Sequence, residues 1–306
     1  MSTQIPHHRA AYLYALAAVA FWSTSATAFK LSLRHLDVLG LLFFASLSST
    51  AVLLVSVLLS RKLAVLRTFT AKDYLFSAVM GFLNPFLYYV ILFKAYSLLL
   101  AQEAQPINFV WPLTLVLLSI PLLGQRIKLG SIVAILVSFS GVVVIGTRGD
   151  VLGFRFSNPT GVLLALSTTI VWSLFWILNT KDKQDETVRL LVNFAFASGF
   201  MLVALLYWNR LEVPSRPGLA GAIYVGFFEM GITFLLWLKA LKTAPTTAHV
   251  VNLIYLVPFL SLLCIAAVLK EPIRPSTLVG LVLIIAGIIL QKLWGAAPDT
   301  ETQPSV

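Results

Sequence analysis

The sequence predicts an all-α membrane protein: ten transmembrane helices arranged as two inverted five-helix repeats. Three observations carry this. Apolar residues make up 59% of the 306 residues and charged ones 11%, with a mean hydropathy of +0.92; a soluble domain carries about 25% charged residues. Apolar runs of about 20 residues, the length that crosses a hydrocarbon core, follow one another from end to end. The second half of the chain also repeats the first.

Taken in order, the spans fall at about 11–30, 38–60, 74–95, 100–123, 129–147, 159–179, 189–208, 218–239, 246–269 and 277–294. The first opens behind HHR and ends on SATA before Phe29, which also has the shape of a cleavable leader. The repeat argues instead that this helix is kept. The connections are short and leave no room for a soluble domain. In lipid every backbone polar group must be satisfied within the segment, so these spans are helices. Strand-sized alternating segments are absent, which argues against an outer-membrane barrel.

The formal net charge is +10, with a pI of about 9.8. In a soluble protein that would suggest nucleic acid. Here Lys and Arg cluster at helix ends, as the positive-inside rule describes, and no nucleic-acid partner is expected. With both termini cytoplasmic, 13 of the 22 Lys and Arg residues lie inside and 9 outside. The 61–72 loop, with Arg61, Lys62, Arg67 and Lys72, contributes most. The expected location is a bacterial inner membrane, crossed many times, with membrane lipid as the surroundings. The single cysteine, Cys264, excludes an intrachain disulfide and reads as a small packing residue.

GFLNPFLYYVILFKAY (81–96) lines up with GFFEMGITFLLWLKAL (226–241), pairing Gly81 with Gly226, Phe82 with Phe227, Lys94 with Lys239 and Ala95 with Ala240. Trp22-Ser23 matches Trp172-Ser173, Pro112 matches Pro258, and Gly141 matches Gly287. The units are therefore residues 1–150 and 151–306. Five crossings per unit set the second copy upside down, and inverted repeats of this kind point to transport by alternating access.

Over essentially its whole length the chain resembles the drug/metabolite transporter superfamily, of the ten-helix EamA type. The resemblance rests on AFWSTSATAFK (20–30), PINFVWPLTLVLLSIPLLGQRIKLGSIVAILVSFSGVVVI (106–145) and VVNLIYLVPFLSLLCIAAVLKEPIRPSTLVGLVLIIAGIIL (250–290). The family pattern has a proline inside the fourth helix of each repeat, an acidic residue at that helix's end, and glycines in the fifth. Pro112, Gly130 and Gly141 match it in the first half, and Pro258, Glu271, Gly280 and Gly287 in the second. Gln125 departs from it, standing where the first repeat would carry the acid. By overall likeness the chain is most similar to aromatic amino-acid exporters of the YddG type. That resemblance implies amino-acid export, with no cofactor.

Polar and aromatic residues deep in the spans are the candidate cavity lining. They are Trp22 and Ser23 in the first predicted helix; Asn84 and Tyr88, with Tyr89 beside them, in the third; and Gln105, Asn108 and Trp111 in the fourth. The later helices add Trp172 and Trp176 in the sixth, Glu229, Thr233 and Trp237 in the eighth, and Asn252 and Tyr255 in the ninth. Spacings of three and four place the residues of the fourth, sixth, eighth and ninth helices on one face each. Trp and Tyr near helix ends, such as Tyr14, Tyr74, Tyr207, Trp208 and Trp294, read as interface anchors. The deeper ones line a cavity or fill a core. Asn84, Asn108 and Asn252 bond a neighbouring helix or a ligand. Pro112 and Pro258 curve their helices or serve as gating bends. Helices 5 and 10 carry small residues, Ser138, Gly141, Gly280 and Gly287, suited to internal packing or to a homodimer face; otherwise the protein is a monomer.

Such a lining suits a small molecule with a flat apolar body and a small polar head, such as an aromatic amino acid. No Lys or Arg lies at mid-depth, which argues against phosphorylated cargo. Glu229 stands alone in its apolar run, and a charge there must face protein or water rather than lipid. Three roles stay open: a structural carboxyl, an acceptor for a substrate ammonium, or a carrier of a coupling proton. His249 is either its proton partner or solvated, and Glu103 reads as part of a gate or interface. No metal-ligand spacing, nucleophile elbow, phosphate-cradling loop or ATPase motif is present, so an enzyme is not expected. A drug or other small-metabolite exporter of the same fold is the alternative within transport.

Overall fold

The computed structural model describes residues 5–124, 129–153, 155–179, 182–243 and 252–295. Among these no residue lies in a strand. Ten helical spans follow in chain order: α1 (Ile5–Ser32), α2 (Val38–Leu59), α3 (Ala71–Leu98), α4 (Ala101–Leu122), α5 (Leu129–Gly146), α6 (Pro159–Asn179), α7 (Glu186–Tyr207), α8 (Arg216–Leu241), α9 (Leu253–Leu269) and α10 (Pro275–Gly295). Among the described residues, nine are long and apolar enough to cross a membrane, and α9 is a shorter apolar helix.

Polar caps start several of them by taking the unpaired amides of a first turn. Asp37 accepts from Gly40 N at 2.7 Å ahead of α2. Thr70 and Asp73 form a reciprocal capping box at α3. Asp185 accepts from Thr187 N and Val188 N at α7, and Ser215 accepts from Gly218 N at α8.

The packing has a two-fold pattern. α1 packs on α8 as α6 packs on α3; α1 packs on α9 as α6 packs on α4; α2 packs on α8 as α7 packs on α3. α2 and α7 also pair with each other, as do α5 and α10. The α5–α10 seam needs its glycines. A Cβ on Gly141 would lie 2.5 Å from the Gly280 carbonyl oxygen, and one on Gly280 would lie 2.6 Å from that of Gly141. Ser138 Oγ adds a bond to Ile284 O at 2.9 Å. The small residues of both helices thus face each other within the chain, while Leu136, Val282 and Leu293 are exposed on the outer faces.

Two features are not visible as simple periodicity. α3 widens to a π-helical turn at Phe82–Leu87, and α8 does the same at Val225–Ile232. In α3 the cause is local: Pro85 offers no N–H, and Asn84 sits outside helical geometry at φ −145°, ψ 120°. Likewise, Pro112 and Pro258 do not curve continuous helices. Each stands at the start of a fresh helical segment, Trp111–Leu123 and Val257–Cys264, where a missing N–H costs nothing.

Candidate functional site

The central cavity has a volume of about 100 Å³ and takes its wall from α1, α3, α4, α6, α8 and α9. An aromatic chain forms most of it. Trp172 is the hub, with ring centroids 4.9 Å from Tyr88, 6.4 Å from Trp111 and 6.3 Å from Phe234. Phe234 meets Trp22 edge-on at 6.2 Å. Tyr88 meets Tyr89, which meets Phe29, which meets Tyr96 at 5.3 Å. Ligand pockets usually measure about 300 Å³ or more, and this cavity is smaller.

Glu229 brings the one carboxylate among the residues of this wall. The wide turn of α8 presents it between helices: Ser25 Oγ donates to Oε2, and Tyr89 OH donates to Oε1 at 3.1 Å. Two donors therefore fix the side chain, and an ionised carboxylate has further lone pairs for a third partner. Asn108 is also engaged at both ends. Its Oδ1 accepts from Tyr88 OH at 3.3 Å, and its Nδ2 donates to Thr168 Oγ1 at 2.7 Å.

Of the residues expected from sequence, Trp22, Tyr88, Tyr89, Gln105, Asn108, Trp111, Trp172 and Glu229 stand together on the wall. The others lie behind it. Trp237 packs on Trp22 with centroids 5.4 Å apart. Trp176 packs on Trp172 and Phe175. Thr233 donates to the Phe228 carbonyl and ties off the wide turn of α8. Tyr255 is half-buried against the core. Asn84, aligned with Glu229 in the repeat, is buried with neither amide atom partnered, and it is not on the wall. The side chain of Asn252 and the whole of His249 lie outside the described residues. Sequence reasoning passed over Ser25, Phe29, Tyr96 and Phe234. A signal existed for three of them: Ser25 and Phe29 follow Trp22 by three and seven, and Tyr96 follows Tyr88 by eight, all on one helical face.

Comparison with known proteins agrees with this architecture. The model of the EamA-like transporter family matches residues 9–147 and again 159–291. The chain belongs to that family. It is similar to the uncharacterized transporter YvbV of Bacillus subtilis (strain 168), at 26% identity over 94% of this chain and 92% of that one. It is also similar to the aromatic amino acid exporter YddG of Ancylobacter novellus, at 26% identity over 70% of this chain and 75% of that one. A solved crystal structure shares the fold, with a TM-score of 0.65 at 22% identity over 94% of this chain and 98% of that chain. The molecule is thus a multi-pass membrane transporter of the EamA type.

In this EamA-like transporter ionic groups join helices at both ends of the bundle. At one end Glu103, 1% exposed in the first turn of α4, accepts from Arg148 Nε at 2.6 Å and Ser157 Oγ at 3.4 Å, with Arg274 Nη1 at 4.0 Å. Glu271, the acid at the end of α9, accepts from Ala101 N and Gln102 N at 3.3 and 3.4 Å. It therefore caps α4 from the other half of the chain. Lys30 of α1 donates to the Tyr96 and Leu99 carbonyls at 2.8 Å each, closing the end of α3. At the opposite end Lys62 meets Asp185 at 2.6 Å. Burial pushes the Asp185 carboxyl up, but Lys62 and the amides of α7 outweigh it and hold the group below its usual range. Glu271→Gln keeps the cap but loses the carboxylate's attraction for the helix N-terminus. It is expected to cost about 0.5–1 kcal/mol, read as a small drop in the thermal midpoint of the detergent-purified protein. An unchanged midpoint would show that the charge adds nothing there.

Proposed function

We propose that this chain exports aromatic and other apolar amino acids across a bacterial inner membrane, by alternating access around the central cavity. The observation that carries the reading is a wall of Trp22, Tyr88, Trp111, Trp172 and Phe234 enclosing one carboxylate, Glu229, held by two donors. Aromatic faces suit a flat apolar side chain, and a carboxylate with free lone pairs suits an ammonium. The two-fold packing and the double family match support the inverted repeat on which such a mechanism turns. The name of the Ancylobacter relative supports the substrate class. The lean of Lys and Arg toward one side supports cytoplasmic termini.

The test is uptake of radiolabelled phenylalanine and threonine into proteoliposomes, with and without an imposed pH gradient. The unaltered protein is expected to move phenylalanine faster. Glu229→Gln is expected to lower phenylalanine flux by about tenfold or more, the loss of one charge-assisted bond. Equal flux in both proteins, insensitive to pH, would make Glu229 structural. Loss of the pH response alone would make it the carrier of a coupling proton. No amino-acid flux under any condition would overturn the substrate class in favour of another small metabolite or drug.

A further inference from the structure

Gln105 is on the cavity wall, 8% exposed, and its Oε1 is buried without a hydrogen-bond partner. The other polar groups nearby are committed. Both ends of the Asn108 amide are bonded, and Tyr89 and Ser25 both donate to Glu229. No Lys or Arg is among the residues of the wall. A buried carbonyl oxygen without a donor is unfavourable, so the missing donor fits a group that arrives with the occupant. Like Asn108, Gln105 carries an acceptor and two donors on one rigid plane, but unlike Asn108 its oxygen has no protein donor.

Consider an amino acid in this cavity. Its ammonium has Glu229 to meet, but its carboxylate finds no cation. It needs a neutral donor, and Nε2 of Gln105 belongs to the one wall amide not already tied to protein at both ends. We propose that Gln105 reads the zwitterionic head of the substrate: Oε1 accepts from the ammonium, and Nε2 donates to the carboxylate. The site would then distinguish amino acids from the corresponding amines, which Glu229 alone cannot do. This rests on the amino-acid reading above and deepens it.

The unaltered protein supplies the first test. In proteoliposomes loaded with labelled phenylalanine, external phenylalanine should compete about tenfold or more better than phenethylamine, which keeps the ammonium but lacks the carboxylate. Gln105→Glu, nearly the same shape, sets a carboxylate against the substrate's own. It is expected to lower phenylalanine exchange by about tenfold or more while phenethylamine competes as well as before or better. Gln105→Leu should weaken both, phenylalanine more. Equal competition by the two compounds in the unaltered protein, or an unchanged preference in Gln105→Glu, would overturn the assignment. If the unaltered protein exchanges no phenylalanine, the amino-acid reading itself falls, which is a separate result.

Discussion

Arg189→Met is expected to leave little folded protein. Arg189 is 2% exposed near the start of α7. Its Nε and Nη2 donate to Asp182 at 2.6 and 2.9 Å, and its Nη1 donates to the Asp73 carbonyl and Ser77 Oγ at 2.7 and 2.8 Å. The guanidinium also lies 4.7 Å from the Phe69 ring centre and 5.2 Å from that of Phe76. One side chain therefore joins α3, α7 and the segment before α7. Removing one member of a buried ion pair costs about 3–5 kcal/mol, because the partner is left charged and unpaired. Asp182, with a side chain 11% exposed, is the more buried of its two carboxylate partners; Asp73, 3.3 Å from Nη2, is the other. Thermal unfolding of the purified protein in detergent is the measurement, with Arg189→Met combined with Asp182→Asn as the companion. The double variant should regain part of the loss. A single variant as stable as the original would show that the cluster does not hold these helices together.

The second large effect is expected on transport. Trp172 touches Tyr88, Trp111, Phe175, Trp176 and Phe234, more rings than any other aromatic residue of the wall. Trp172→Ala opens the wall where an aromatic substrate would pack. Aromatic pairs contribute about 0.5–1.5 kcal/mol each beyond burial, so losing two costs about 1–3 kcal/mol, or roughly 5- to 150-fold. The effect should be large for phenylalanine and small for threonine. Trp172→Phe should retain most of the activity. Trp176→Ala, one turn along α6 and behind the wall, is the control and should change flux less. An equal fall for phenylalanine and threonine in Trp172→Ala would mean that the ring only supports the bundle.

Gln105 was visible in sequence as a polar residue one turn before Asn108, yet nothing local showed that Asn108 would be tied at both ends and the Gln105 oxygen left without a donor. That depends on Thr168 and Tyr88 arriving from α6 and α3. The same holds for the acid at the end of α9. Its position in the chain was plain, but its partners, the first amides of α4, lie about 170 positions away.

The sequence by itself determined the class, the ten spans and the internal repeat. Those follow from properties carried residue by residue: apolar runs as long as a bilayer is thick, and side chains recurring at matched positions. It also determined that Glu229 had to face inward, because lipid will not take a lone charge. Tertiary structure alone decided which residue of each set reaches the cavity. Asn84 and Glu229 occupy equivalent places in the repeat, yet one is buried behind the wall and the other stands on it. The difference lies in the backbone: Asn84 sits outside helical geometry ahead of Pro85, whereas Glu229 is followed by Met230 within its turn. A π turn adds a residue to the helix and shifts the phase of everything beyond it. A face drawn at 3.6 residues per turn therefore fails at the wide turns of α3 and α8, and those two turns shape the site.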